Sequence, residues 1–271
     1  MKLAFIGGGN MATAMLGGLI KQGWPREDLA VIDIAAEARE RIAGEMGVRT
    51  HADLREGVVG ADCVVFAVKP QQLRASAAAL APVLAGRLVL TIAAGIRSDD
   101  LARWLGGHER IVRVMPNTPA LVLAGMSGLY ARAGASAADR QAAERILRAA
   151  GDTLWLDSEE QIDAVTAVSG SGPAYVFYFI ESLQEAAAAL GLPHAAARRL
   201  ALQTFAGAVK LAAESDEPPA TLRERVTSKG GTTERALAVL EARGVKDSIK
   251  EAVAAAERRS RELGTELGTD R

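Results

Sequence analysis

Late in the chain, Val226-Thr-Ser-Lys-Gly-Gly-Thr-Thr233 places hydroxyls and a glycine pair between two helical stretches, where a packing helix would carry apolar periodicity. Residue types of this kind suit a small polar anion. The N–H groups of Gly230, Gly231 and Thr232 precede a helix expected over 233–243, and free donors at the positive end of a helix hold a carboxylate. A hydroxyl such as that of Thr233 is suited to hydrogen-bond a polar atom of such a ligand and to relay a proton from water. The two threonines fit a plain helix cap ahead of Glu234 as well.

A second chemistry-bearing run opens the chain. Lys2-Leu-Ala-Phe-Ile-Gly7-Gly-Gly9-Asn10-Met11-Ala12 reads as a short apolar strand entering a Gly-x-Gly-x-x-Ala turn, followed by a helix over 11–22 that Gly23 stops. Gly7 permits the tight turn, Gly9 admits a pyrophosphate to the backbone, and Ala12 allows close packing of helix on strand, which leaves N–H groups free for phosphate. Asp33 follows about 20 residues on, at the end of the next strand, where a carboxylate accepts from both adenosine ribose hydroxyls. It also repels a ribose 2′-phosphate, favouring NADH over NADPH, and it suits equally a helix cap before Ile34-Ala-Ala-Glu37. Val64-Val-Phe-Ala-Val-Lys69-Pro70 ends a strand in a cation placed to meet a phosphate or ribose. Ile92-Ala93-Ala94-Gly95 ends another in small residues that leave room for a nicotinamide ring. In Met115-Pro-Asn117-Thr118-Pro119 two prolines fix a turn and leave an amide and a hydroxyl free to orient a ligand. Ser169 and Ser171, before Gly172-Pro173 and a long helix, are as readily structural as catalytic.

These residues need strands that deliver them to one edge. Strands are expected at 3–6, 29–33, 63–68, 88–93, 111–115 and 128–131, alternating with helices such as 37–46 and 71–84, which implies a mostly parallel sheet covered on both faces. From about residue 159 the pattern turns helical, with segments at 174–190, 195–214, 233–243 and 248–263 and a frayed tail from Gly264. The expected domains are 1–158 and 159–271. The helices are rich in Ala and Leu on more than one face, which implies burial against a second subunit; a self-contained bundle is the alternative.

Composition narrows the partners. The 271 residues carry 32 Lys and Arg against 33 Asp and Glu, a net charge of −1 with no basic stripe, so neither nucleic acid nor an anionic membrane is an expected partner. The single Cys63 lies in an apolar run and reads as core filling, and a reducing, cytoplasmic setting is expected. No stretch has the length and apolarity of a membrane span or the form of a secretion signal. His51, His108 and His194 have no metal-binding spacing, so no metal is expected.

Taken together, Gly7-Gly-Gly-Asn-Met-Ala12, Ala67-Val-Lys-Pro70, Met115-Pro-Asn-Thr-Pro119, Ser169-Gly-Ser-Gly-Pro-Ala-Tyr175 and Thr227-Ser-Lys-Gly-Gly-Thr-Thr233 resemble the pyrroline-5-carboxylate reductases over nearly the whole chain. The resemblance implies an α/β fold: an N-terminal Rossmann-like dinucleotide-binding domain with a C-terminal all-helical dimerisation domain. It implies reduction of 1-pyrroline-5-carboxylate to L-proline by NADPH or NADH, in homodimers that often assemble into decamers, pentamers of dimers. The cofactor would meet Ile6, Gly7, Gly8, Gly9, Asn10, Met11, Asp33, Ala67, Val68, Lys69, Pro70, Ala93, Ala94 and Asn117. The substrate would meet Ser228, Gly230, Gly231, Thr232 and Thr233, with Thr233 catalytic, and Glu159 nearby. Many members have proline in place of Lys229, and those preferring NADPH tend to carry Ser, Asn or a nearby Arg in place of Asp33. The 3-hydroxyacid dehydrogenases resemble the chain around Gly170-Ser-Gly172, but their catalytic lysine position is Val176 here, so the acid/base group of alcohol oxidation is missing. A catalytically silent nucleotide sensor is the third reading, and the intact hydroxyl run argues against it.

Overall fold

A computed structural model describes residues 1–84 and 86–269. Its strands are β1 (Leu3–Ile6), β2 (Leu29–Ile32), β3 (Arg49–His51), β4 (Cys63–Phe66), β5 (Leu88–Thr91), β6 (Ile111–Met115), β7 (Gly125–Ala131) and β8 (Gly151–Trp155). Its helices are α1 (Asn10–Lys21), α2 (Ala36–Met46), α3 (Leu54–Gly57), α4 (Pro70–Leu80), α5 (Ser98–Trp104), α6 (Ala137–Leu147), α7 (Gln161–Val165), α8 (Gly172–Ala189), α9 (His194–Ala213), α10 (Pro219–Arg225), α11 (Thr232–Ala242) and α12 (Val245–Gly268). The strands form one sheet in the order β3-β2-β1-β4-β5-β6-β7-β8. Every neighbouring pair is parallel except β6 with β7.

Alternation within β1 explains the covering on both faces. Leu3 and Phe5 join a core with Met15, Leu16 and Leu19 of α1, while Ala4 and Ile6 join a second core with Leu73 and Leu80 of α4. Because successive side chains point to opposite faces, an unbroken apolar strand buried on both sides must lie inside a sheet with helices above and below. Cys63 is fully buried in the first of these cores, and burial pushes its thiol well above the ordinary range, as expected for core filling. The strands β3 and β8 were not expected from the sequence. Both lie at sheet edges, and Arg49, Asp152 and Leu154 in them are exposed, so neither shows the apolar run of an interior strand.

The chain divides into two compact units, Met1–Ser171 with the segment from Ala256 onward, and Gly172–Ala255. The expected boundary at 158/159 thus differs from the compact division. Residues 159–171 belong to the first unit, where Ile162 and Ala167 are buried and Val165 packs so closely on Gly128 of β7 that a Cβ there would stand at 2.8 Å. The expected frayed tail is also corrected: α12 continues to Gly268, Gly264 is buried, and Leu267 packs against the second core, so tertiary contact overrides the weak local signal.

In the second unit, α8 packs against α9. Among its described residues only Ala197 and Ala201 are buried apolar residues, while Phe177, Tyr178, Val209 and Leu211 are each about two-thirds exposed. A unit with so little buried apolar surface lacks a core of its own, which disfavours the self-contained bundle. Among the described residues no helix is long and apolar enough to cross a membrane.

Candidate active site

The topology makes a cleft where β1 and β4 lie side by side, since the chain leaves β1 toward β2 and returns to β4 on its other side. Ligands in open α/β sheets bind at such a reversal, beyond the carboxyl ends of the strands. A cleft of about 500 Å³ lies there, lined by Gly7, Gly8, Gly9, Asp33, Ala67, Val68 and Lys69 among others. Gly7 has φ +98, and a Cβ on it would meet the Ala67 carbonyl oxygen at 2.7 Å, so glycine is required on both counts. Beside Gly9, the N-cap of α1, the space where a Cβ would stand is open. That room, at the uncapped start of a twelve-residue helix, fits a pyrophosphate.

Asp33 holds both of its carboxylate oxygens on backbone donors, accepting from Gly8 N–H at 2.8 Å and from Ala35 N–H at 2.9 Å. It ties the glycine turn to the end of β2, and since the Gly7 N–H donates to the Ile32 carbonyl at 2.8 Å, the N–H groups of both Gly7 and Gly8 are engaged. Arg39 donates to the Asp33 and Ile34 carbonyls, and Arg41 to the Gly8 carbonyl, so two guanidinium groups stand at this corner of the cleft. Lys69 is exposed and forms the N-cap of α4, with Pro70 in the first turn. Its cation stands at the cleft without a capping role.

The expectation of a free amide at Asn117 is corrected. Its nitrogen donates to the Ser169 carbonyl and hydroxyl, and its oxygen accepts from Met126 N–H at 2.8 Å. The side chain therefore pins the turn after β6 to β7 and to the 166–170 segment, which winds with a wider i→i−5 bond from Ser171 N–H to the Thr166 carbonyl. Ser169 acquires its structural role through this contact.

At the other side of β5 a buried polar cluster gathers residues distant in sequence. Glu159 accepts from the Ser98 N–H and hydroxyl, both at 2.6 Å, and from Arg113 at 2.8 Å. Arg97 reaches Asp163 at 2.6 Å, and Asp163 accepts from the Ser260 hydroxyl at 2.7 Å. Arg113 is 2% exposed, and burial pulls its guanidinium below the usual value while Glu159 opposes the shift. Sequence reasoning singled out neither Arg113 nor Asp163 as functional. The available signal was a charge in the middle of the otherwise apolar strand Ile111-Val-Arg-Val-Met115. Gln71, Gln72 and Ser76 of α4, which line the cleft, were also missed; their signal was a small polar face one helical turn after Lys69.

The second unit brings Ser228, Gly230, Gly231, Thr232 and Thr233 together in the turn before α11 and its first residues. Gly230 has φ +73, which a glycine adopts without strain. Helix α11 starts at Thr232 with Gly231 as its N-cap, and no side chain caps it. The threonine-cap alternative therefore does not apply, because Thr232 and Thr233 are already helical. The Gly231 N–H is bonded to the Ser228 carbonyl at 3.0 Å, and the Gly230 N–H to the Glu234 carboxylate at 2.7 Å. Of the three donors expected to hold a carboxylate, two are thus engaged within the turn. The first N–H groups of a helix have no carbonyl of their own helix to reach, so those of Thr232 and Thr233 remain for an anion. Glu234 thereby sets its own carboxylate against the turn, on the Gly230 N–H.

The family model described as pyrroline-5-carboxylate reductase dimerisation matches residues 159–263, and that described as NADP oxidoreductase coenzyme F420-dependent matches residues 2–95. The chain is 48% identical to a pyrroline-5-carboxylate reductase of Pseudomonas aeruginosa over 98% of both chains, and 43% identical to that of Haemophilus influenzae over 97% of both. Among solved structures it is similar to a pyrroline-5-carboxylate reductase of Coxiella burnetii, with a TM-score of 0.92 and 41% identity over 97% of this chain and 98% of the other. It is similar also to the Plasmodium falciparum enzyme with NADP bound, with a TM-score of 0.88 and 30% identity over the same shares. Identity at this level along almost the entire length, with the glycine turn and the threonine turn both in place, shows that the chain belongs to the pyrroline-5-carboxylate reductase family.

Proposed function

We propose that the chain reduces 1-pyrroline-5-carboxylate to L-proline with NADPH or NADH, the last step of proline biosynthesis, and that Thr233 is its catalytic hydroxyl. The observation that carries this reading is the start of α11, where no side chain caps the helix and Thr232 and Thr233 present their first-turn N–H groups. These donors bind the substrate carboxylate, assisted by the Ser228 hydroxyl, with Gly230 and Gly231 shaping the turn that leads into them. With the carboxylate anchored, the ring nitrogen is brought to the Thr233 hydroxyl, which hydrogen-bonds it and passes one proton from water. When bound, a nicotinamide beside Ala93 and Ala94 would supply a hydride for the imine carbon, with the C=N π electrons taken up on nitrogen. One hydride and one proton convert the imine to the secondary amine. An iminium is already electrophilic, so the protein's task is orientation.

For the cofactor, the residues from Ile6 to Met11 with Ala67, Val68, Lys69 and Pro70 hold the pyrophosphate region, and Ala93 and Ala94 leave room for the nicotinamide. Asp33 favours the unsubstituted ribose, which supports use of NADH. Arg39 and Arg41 beside it supply positive charge for a 2′-phosphate. Glu159, whose carboxylate is engaged by Ser98 and Arg113, is not placed in the substrate set. The exposed apolar side chains of the second unit support a homodimer and, by further association, a decamer. The decisive experiment follows loss of reduced cofactor with 1-pyrroline-5-carboxylate and identifies proline as product, once with NADPH and once with NADH. Absence of proline with both would reject the assignment.

A further inference from the structure

We propose that Glu159 and Asp163 are positioning residues for the hydride transfer: two carboxylates, four residues apart, that fix the 92–98 segment along which the nicotinamide half of the cofactor lies. The inference rests on the cofactor reading above. With Asp33 at the end of β2 and the glycine turn at the end of β1, a dinucleotide that begins at the ribose corner has its other half over β4 and β5. The register pairs Phe66 with Thr91, and Ile92 N–H donates to the Phe66 carbonyl, so Ala93-Ala94-Gly95 continues the same edge beyond Ala67 and Val68.

Two clamps hold the far end of that segment. Ser98, the first residue of α5, gives both its N–H and its hydroxyl to Glu159, and Glu159 is tied in turn to Arg113 in β6. Arg97, one residue earlier, crosses Gly264 so closely that a Cβ there would stand 3.1 Å from its Nε, and ends on Asp163, whose second oxygen takes the Ser260 hydroxyl. Leu263 and Leu267 close over Gly95, where a Cβ would stand at 3.2 and 3.0 Å. Each oxygen of the two carboxylates is already an acceptor within the protein, so the pair acts through the segment it holds.

Burial makes a purely stabilising role a poor explanation. Asp163 and Arg113 are 1% and 2% exposed, and desolvating such charges offsets most of what their attraction returns, so apolar packing would serve stability as well. Directed bonds from β6, α5, the 159–163 segment and α12 instead define one height for the loop, and an error of about 1 Å in the placement of reacting groups costs on the order of a hundredfold in rate.

The test compares wild type with Glu159→Gln, which keeps the shape and loses the charge, and with Ser98→Ala, which loosens the clamp without leaving Arg113 unpaired. Steady-state kinetics with both substrates varied, thermal midpoints and a fluorescence titration with NADPH are measured on each. In folded variants kcat should fall about ten- to a hundredfold with the KM for the imine within about twofold, and the NADPH dissociation constant should rise about threefold or more. A purely structural role would lower the midpoint and leave kcat of the folded enzyme at the wild-type value, and that result overturns the proposal. A raised KM for the imine at unchanged kcat overturns it too, by making Glu159 a substrate ligand. If Glu159→Gln does not fold, Ser98→Ala decides. Because the titration needs no turnover, it reads the clamp separately from the reaction: an inactive wild type would reject the function, while unchanged NADPH binding in the variants would reject the inference.

Discussion

Thr233 and Asp33 carry different burdens, and substitution separates them. Thr233→Ala is expected to lower kcat/KM for the imine by about ten- to a thousandfold with the thermal midpoint unchanged, because under the proposed mechanism the hydroxyl serves the ring nitrogen, and it caps no helix. Steady-state kinetics beside a melting curve check this, and unaltered kinetics would remove Thr233 from the mechanism. Asp33→Asn should raise the ratio of kcat/KM for NADPH over NADH by about tenfold, since it removes a charge that repels a 2′-phosphate while Arg39 and Arg41 stay in place. Parallel assays with the two cofactors decide it; a ratio that stays put would assign the choice to the arginines. Gly7, Gly9 and Asp33 were legible in the sequence because the Gly-x-Gly-x-x-Ala turn and an acidic strand end about 20 residues on form a pattern that can be read by spacing alone. The roles of Asn117 and Glu159 were not, because their partners Ser169 and Ser98 lie 52 and 61 residues distant and only the fold brings them together.

At the scale of elements, local grammar succeeded where burial reinforced it. Interior strands such as β1 and β4 were legible as apolar runs, and edge strands β3 and β8 were hidden by their polar residues. Helix α6 shows grammar at full strength: Ser136 and Asp139 form a reciprocal capping box, and Asp139 also pairs with Arg110 at 2.7 Å. The Arg110 guanidinium, and then the Ser136 donors, hold the Asp139 carboxyl below the usual carboxylate range against the opposing effect of burial. A carboxylate whose folded pKa lies below its unfolded value, about 3.9, contributes stability that is fully present above that value and is lost as pH falls through the folded pKa. Asp139→Asn is therefore expected to cost about 1–3 kcal/mol near neutrality and to flatten the acid limb of stability against pH. Denaturant titrations across that range measure both effects. Gly18 in α1 is a second case: a Cβ there would stand 2.0 Å from the Ala149 carbonyl oxygen, so Gly18→Ala should destabilise by about 1–3 kcal/mol despite alanine's better helix propensity.

At the scale of the whole molecule, the helical unit was legible as helices and its need for a partner as an excess of Ala and Leu, while the stoichiometry depends on surfaces that one chain does not reveal. Phe177→Glu, on the exposed face of α8, is expected to weaken self-association by about 2 kcal/mol or more, which sedimentation at a series of concentrations would register as smaller species. An unchanged distribution would place the contact on another face. The first unit, for its part, is discontinuous in sequence, since the segment from Ala256 returns to it after the whole of the second. Evolution by domain shuffling would be awkward for such a chain: a fragment ending at Ser171 would strand the Asp163 carboxylate without Ser260 and uncover Gly95. A swap of the helical part between relatives would have to carry the ending of α12 with the N-terminal parent, through two crossovers rather than one.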